Sequence, residues 1–130
     1  MSQEKVEIVR QGFEAFERGE LEALLDLFAD DVTTYRADPD GATYDGKAGF
    51  LDATADWTED FSDWRVLPQE FVDLGDRVLV RVRQMAQGKS SGVRVEEDFW
   101  FLFEVSGTEV SKLSFYSRQA DALEAVGLSD

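Results

Sequence analysis

The sequence predicts an α+β fold in which helices come first and an antiparallel sheet follows. Up to about residue 61, apolar residues recur every three or four positions, as they do on one face of a helix. From residue 64 onward the period is two, as in strands whose two faces differ. Helices followed by consecutive strands indicate α+β architecture, and 130 residues suit one domain, residues 1–130.

Three helices are predicted before the sheet, and each is marked by apolar residues at helical spacing. These residues are Val6, Val9, Phe13 and Phe16 in the first helix, Leu21, Leu24, Leu25 and Phe28 in the second, and Phe50, Thr54, Trp57 and Phe61 in the third. Gly19 lies where the first helix would stop, and residues 29–31 break the second. A short terminal helix is predicted at "ADALEAVGL", with Gly127 beyond its end.

The strands are predicted from alternation and from the turns between them. They cover residues 32–36, 64–72, 77–87, 93–105 and 109–117, and residues 37–46 read as a loop. The turns are "DLGD", "GKSSG" and "SGT", which are rich in the residues that tight turns favour. In the strand at residues 77–87, Val78, Val80 and Val82 share one face, whereas Arg81 and Arg83 share the other.

The strand at residues 93–105 is apolar on both faces in its middle. Phe99, Phe101 and Phe103 lie on one face, and Trp100 and Leu102 on the other. Because such a strand needs cover on both sides, we expect the helices to cover one face. A second copy of the chain across a two-fold axis would cover the other. The strand therefore predicts a homodimer, and a sheet that curls over itself is the alternative.

Three acids open the same strand. Glu96 and Asp98 fall on the face assigned to the dimer, and at a rim both would be solvated. Glu97 precedes the three phenylalanines on the other face, where lost solvation would raise its pKa and make it a candidate general base or neutral donor. The alternative is an ion pair between Glu97 and Arg81 or Arg83 on the neighbouring strand.

Composition excludes several classes of function. The net charge of −15 disfavours nucleic acid and anionic membranes, which would repel it. The absence of Cys and His excludes disulfides, thiolate nucleophiles, Ser-His-Asp triads and His-ligated metals. No apolar run reaches the ~20 residues of a membrane helix, and the N-terminus lacks a signal-peptide pattern. We therefore expect a cytoplasmic protein with no cofactor.

Several segments together resemble one family. "VRQGFEAFERGELEALLDLFADDV", "YDGKAGF", "FVDLGDRVLVRVR", "SSGVRVE" and "FYSRQADALEAVGL" are similar in order and spacing to the SnoaL-like branch of the nuclear-transport-factor-2-like superfamily. The resemblance covers residues 6–128. It implies a cone-shaped α+β barrel, in which N-terminal helices pack inside a strongly curved antiparallel sheet that encloses a pocket, and which is usually a dimer.

The resemblance does not bring a known catalytic set with it, and fold alone does not give function. The base of the family's ketosteroid isomerase matches Arg36, its tyrosine donor matches Gly12, and its carboxylic donor matches Phe101. None of these three residues can do the corresponding chemistry. In the epoxide-hydrolase branch an acid precedes the tyrosine of the last strand, whereas here Phe115 precedes Tyr116. The arginine of that branch matches Arg81 or Arg83.

The resemblance implies a mostly apolar pocket with a few polar groups. Its residues would be Thr34, Arg36, Trp57, Arg83, Glu97, Phe99, Phe101, Phe103, Leu113 and Phe115. Aromatic walls suit a flat or ring-bearing small molecule, and Arg36 or Arg83 would orient a carboxylate or enolate oxygen.

Three functions stay open from the sequence. The first is a domain that binds an apolar or aromatic small molecule without the known catalytic sets. The second is a cofactor-independent isomerase, cyclase or hydrolase in which Glu97 is the base and Arg36 or Arg83 stabilises the developing anion. The third is a dimerisation module whose pocket is filled by its own side chains.

Overall fold

The computed structural model describes residues 2–37 and 41–127, without the side chain of Ser2. These residues form four helices and six strands. The helices are α1 (Ser2–Glu17), α2 (Leu21–Asp26), α3 (Gly46–Thr58) and α4 (Gln119–Ala125). The strands are β1 (Phe28–Arg36), β2 (Ala42–Asp45), β3 (Phe61–Asp73), β4 (Arg77–Gly88), β5 (Arg94–Ser106) and β6 (Glu109–Tyr116). Within the described ranges, none of the helices combines the length and the apolar character needed to cross a bilayer.

The six strands form one curved sheet in the order β2-β1-β6-β5-β4-β3. The predicted meander is confirmed, since β3 to β6 pair antiparallel with their neighbours in chain order. One pair departs from the antiparallel pattern, because β1 runs parallel to β6. Such a pair needs a long connection, and α3 with the whole meander supplies it. Register shifts in β3, at Ser62/Arg65 and Pro68/Glu70, are the kind of irregularity that bends a strand.

The main departures from the predicted elements lie at Phe28, at Phe61 and in the loop at residues 37–46. Phe28 begins β1 instead of ending α2, and Phe61 begins β3 instead of ending α3. Phe28 is nevertheless in the core, where its ring meets the ring of Phe50 edge-on at 4.8 Å, so a helical and a strand position were equally compatible with its apolar character. The predicted loop at residues 37–46 contains β2, and its residues 38–40 lie outside the described residues.

The inner face of the sheet packs against α1, α2 and α3. Side chains paired across neighbouring strands point to the same face, and Arg36 pairs with Phe115, which pairs with Phe101. Phe101 in turn pairs with Val80. This row therefore places the inner-face residues of four strands side by side, with Arg36 at one end and an apolar core along the rest.

The outer face of the sheet is covered in part by α4. Leu79 and Leu102 are buried there together with Ala122 of α4, and Trp100 and Tyr116 pack beside them. The two apolar faces of β5 are thus confirmed, but a helix of the same chain covers part of the face for which the sequence indicated a second subunit. The homodimer and the cytoplasmic location stay predictions.

Candidate ligand-binding site

Two cavities lie along the inner face of the sheet. The deep cavity, of about 60 Å³, is lined by side chains of the helices and the sheet that are almost all apolar, among them Phe13, Phe50, Phe101, Phe103 and Leu113. The mouth cavity, of about 350 Å³, is lined by Arg36, Trp57, Phe61, Gln84, Glu97, Phe99, Phe115, Tyr116 and Ser117. Trp57 and Phe115 line both cavities and therefore lie between them.

The predicted pocket residues divide between the two cavities. Phe101, Phe103 and Leu113 line the deep cavity, whereas Arg36, Glu97 and Phe99 line the mouth cavity. Trp57 and Phe115 face both, and Thr34 and Arg83 line neither. The structure therefore brings together a smaller polar set than the sequence suggested, with Arg36 and Glu97 as its charged members.

Arg83 lies on the outer face, so the prediction that it faces the pocket does not hold. It pairs in register with Asp98. Its Nε donates a hydrogen bond to Asp98 Oδ1 at 3.0 Å, and its Nη1 donates to Glu96 Oε1 at 2.8 Å. The hydrogen bonds from Arg83 and then Arg81 hold the pKa of Asp98 below its ordinary value. Because β4 turns Val82 and Gln84 inward, the residue between them must point outward.

Glu97 lies at the solvent-exposed rim of the mouth cavity. It pairs in register with Gln84, which places it on the inner face but near the end of the sheet that is open to water. The expected desolvation of its carboxylate is therefore not met. The alternative, an ion pair between Glu97 and Arg81 or Arg83, does not form either. Arg83 pairs with Glu96 and Asp98, and Arg81 pairs with Asp98 and Glu70.

Arg36 lines the mouth cavity and carries a buried hydrogen-bond donor. Its Nε is buried and has no hydrogen-bond partner among the described residues. Its guanidinium carbon lies 5.4 Å from the centroid of the Trp57 ring, within the range of a cation–π contact. An N–H group buried without an acceptor costs about 1–3 kcal/mol. The site is therefore suited to an acceptor oxygen brought by a ligand.

Gln84 is the polar group that sequence reasoning missed. It is only 2% exposed, and its Oε1 accepts hydrogen bonds from Trp57 Nε1 and from Trp64 Nε1, the latter at 2.7 Å. Because an indole N–H can only donate, the oxygen of the amide must face the two indoles. The signal was present in the sequence, since Gln84 continues the apolar inner face of Val80 and Val82 as an uncharged polar residue.

Two further polar residues lie near the cavities. Thr34 is fully buried on β1, and its hydroxyl oxygen has no hydrogen-bond partner within the described part of the chain. Tyr116 lines the mouth cavity, and burial raises the pKa of its phenol above the ordinary value. Its register partner is Trp100, and its ring packs with Leu79 and Leu102 on the outer face, so the phenol lies on the side of the sheet away from the deep cavity.

The chain belongs to the SnoaL-like domain family, whose sequence profile matches residues 9–112. This range contains α2, α3 and β1 to β5, and it therefore includes most of both cavities. Among curated proteins, none matches the chain. The fold and the family inferred from the sequence motifs are thus confirmed.

Solved structures show the same fold. An NTF2-like protein from Burkholderia xenovorans is 30% identical, with a TM-score of 0.71 and coverage of 89% of this chain and 90% of that one. A ketosteroid isomerase-like protein from Catenulispora acidiphila, in complex with trimethylamine, is 23% identical, with a TM-score of 0.73 and coverage of 94% and 93%. TerC, co-crystallised with polyporic acid, is 19% identical, with a TM-score of 0.76 and coverage of 95% and 98%.

Proposed function

We propose that this SnoaL-like protein binds a flat, largely apolar small molecule through an anionic oxygen, without acid–base catalysis of the kinds known in the family. One observation carries the proposal. A mouth cavity of about 350 Å³ combines aromatic walls with the side chain of Arg36, whose buried Nε lacks an acceptor within the described chain.

Size and wall chemistry support a small-molecule site. Ligand pockets typically measure ~300–1,000 Å³ and hold a few polar groups among apolar walls. Trp57 meets the ring of Phe99 at 5.1 Å and the ring of Phe115 at 5.0 Å, both edge-on. Such a cluster offers ring faces and edges to a planar ligand.

The polar groups support an anionic oxygen. Arg36 supplies a charge-assisted donor, which binds an anionic oxygen about twice as strongly as a neutral donor does. Tyr116 also borders this cavity, but its ring packs on the outer face beside Leu102, so Arg36 is the donor on which the proposal rests. A ligand could place its carboxylate or enolate oxygen at Arg36 and its apolar rings against Phe99 and Phe115. It would then contact both the charged and the apolar part of the cavity lining.

The chemistry of the deep cavity disfavours catalysis there. Its lining within the described residues contains no acidic or basic side chain. Its one hydroxyl-bearing residue, Thr54, donates to the carbonyl oxygen of Phe50 at 3.0 Å. Gly12 and Phe101, which match the isomerase's donors by resemblance, both line this cavity, and neither can donate a proton or stabilise an oxyanion.

The second candidate is a cofactor-independent isomerase, cyclase or hydrolase. One observation favours it, since Glu97 and Arg36 line the same cavity. Glu97 would remove a proton next to a carbonyl group, and Arg36 would stabilise the resulting enolate. Against it, Glu97 is exposed at the rim of the mouth cavity, where water solvates its carboxylate.

The relatives support the proposal only in a general way. The Catenulispora acidiphila protein and TerC were crystallised with trimethylamine and polyporic acid, respectively. Both are below 25% identity, so they show that this fold holds small molecules and do not assign a ligand to this chain.

A matched set of probes tests the proposed function. Isothermal titration calorimetry would compare 2-naphthoate with 2-naphthamide and with naphthalene, which share one ring system and differ in charge and polarity. We expect 2-naphthoate to bind tightest, because it alone brings a charged acceptor to Arg36. Equal affinity for the three probes, or no binding by any of them, would contradict the proposal.

A further inference from the structure

One side chain separates the two cavities. Trp57 lies one residue before the end of α3, and its ring lines both the deep and the mouth cavity. On the sheet side it packs edge-on against Phe115 at 5.0 Å and against Phe101 at 6.1 Å. On the mouth side it contacts Phe99 at 5.1 Å and lies beneath the guanidinium of Arg36.

The position of Trp57 is held by a buried amide. Trp57 Nε1 donates to Gln84 Oε1, which also accepts from Trp64 Nε1 at 2.7 Å. Gln84 lines the mouth cavity, Trp64 lines the deep cavity, and Trp57 lies between them. The amide therefore fixes the indole that separates the two spaces, because displacing Trp57 would break its bond to a buried acceptor.

The deep cavity has walls that suit the end of an apolar chain. Its lining is apolar apart from Thr54, whose hydroxyl already donates to the Phe50 carbonyl. Buried apolar spaces hold no water and accept apolar groups. At about 60 Å³ the deep cavity is far smaller than the mouth cavity. It is suited to a short alkyl end and not to a ring.

We propose that Trp57, held by Gln84, is a partition that limits how long an apolar ligand the site accepts. The inference rests on the proposed function, because it takes the anionic oxygen to be bound at Arg36 and the apolar body to extend toward Trp57. The ligand class is then an arylalkyl or alkyl monocarboxylate. Its chain fills the mouth cavity and stops at the indole.

Chain length is the variable that tests the partition. Calorimetry would measure the affinity of straight-chain monocarboxylates of increasing length for the wild type and for Trp57→Ala. Each methylene that enters an apolar space adds about fourfold in affinity. In the wild type we expect this gain to stop at the chain that reaches Trp57, whereas in Trp57→Ala it continues for about two to three more methylenes, giving tens-fold tighter binding of the longer acids.

Trp64 provides a matched control, because it lines the deep cavity and bonds the same Gln84 oxygen but does not line the mouth cavity. Trp64→Ala removes a ring of equal size without opening the partition. It is expected to leave the preferred chain length unchanged. If Trp57→Ala does not fold, Gln84→Met tests the same idea, since it frees the indole without removing it and is expected to admit the longer acids more weakly.

The possible outcomes separate the two proposals. A shift of the preferred length in Trp57→Ala and not in Trp64→Ala supports the partition. Binding of short acids that depends on Arg36, with the same preferred length in all variants, overturns the partition and leaves the proposed function intact. Failure of every straight-chain acid to bind the wild type overturns the partition, and failure of 2-naphthoate to bind as well overturns the proposed function.

Discussion

Replacing Arg36 by methionine separates a specific anion site from general electrostatics. A hydrogen bond to a charged group contributes about 1.5–3 kcal/mol, which corresponds to a loss of about 10- to 150-fold in affinity. We therefore expect Arg36→Met to weaken 2-naphthoate binding by that factor and to weaken 2-naphthamide binding less, because the amide oxygen is an uncharged acceptor. The apo protein should keep its stability within about 1 kcal/mol, because a buried donor without an acceptor is removed together with a cation–π contact of similar size.

Arg83→Met is the matched control for charge. Both substitutions remove one positive charge from a chain of net charge −15, so both change the long-range repulsion of an anion by a similar amount. Arg83 is engaged with Asp98 and Glu96 on the outer face, so its loss should change the affinity for 2-naphthoate less than twofold. Calorimetry at low and moderate salt gives the comparison. Equal losses in the two variants would refute a specific site at Arg36.

Three further substitutions have defined outcomes. Thr34→Val should stabilise the protein by about 1 kcal/mol, or about 4 °C in thermal denaturation, because it removes a buried hydroxyl that lacks a partner among the described residues; a lower Tm would show that the hydroxyl is satisfied. Hydrogen bonds from Arg83 and then Arg81 lower the pKa of Asp98 in the folded protein. The ionised Asp98 carboxylate therefore stabilises the fold fully above the unfolded pKa of about 3.9, and this stabilisation is lost as the pH falls through the lower folded pKa. Urea titrations should therefore show Asp98→Asn less stable than wild type near neutral pH and the difference shrinking in acid, whereas a constant difference would argue against the ion pairs. Glu97→Gln should bind 2-naphthoate equally or slightly more tightly, since a like charge leaves the rim; if the protein has a substrate, a loss of turnover of about 100-fold or more in this variant would instead favour the catalytic alternative.

The fold could be predicted from the sequence because hydrophobic periodicity and turn motifs are local features of the chain. The change of hydrophobic period near residue 61 marks the passage from helices to meander, and the meander is confirmed. The parallel pairing of β1 with β6 was not accessible in the same way. It joins segments that are far apart in the chain, so no turn sequence specifies it.

The site residues were harder to predict from the sequence, and Arg83 is an example. Its alternation with Val82 already assigns it to the outer face, whereas matching to the epoxide-hydrolase arginine favoured the pocket. The register observed between β4 and β5, which sets Arg83 against Asp98, agrees with the alternation. Physical periodicity was therefore the better guide to this residue than resemblance.

Gln84 and α4 show the limit of strand patterns. The alternation places Gln84 inward, but its two indole partners come from α3 and β3, and only the tertiary fold brings these together. Likewise, the apolar outer face of β5 predicted a covering surface without specifying which one. A short helix of the same chain supplies part of that cover at Leu102.

A crystal structure of the protein soaked with 2-naphthoate would locate the bound anion. We expect density for the ligand in the mouth cavity, with its carboxylate within hydrogen-bond distance of the Arg36 guanidinium and its rings against Phe99 and Phe115. A carboxylate bound on the outer face at Arg83, or rings in the cavity with the carboxylate turned away from Arg36 into solvent, would contradict this expectation.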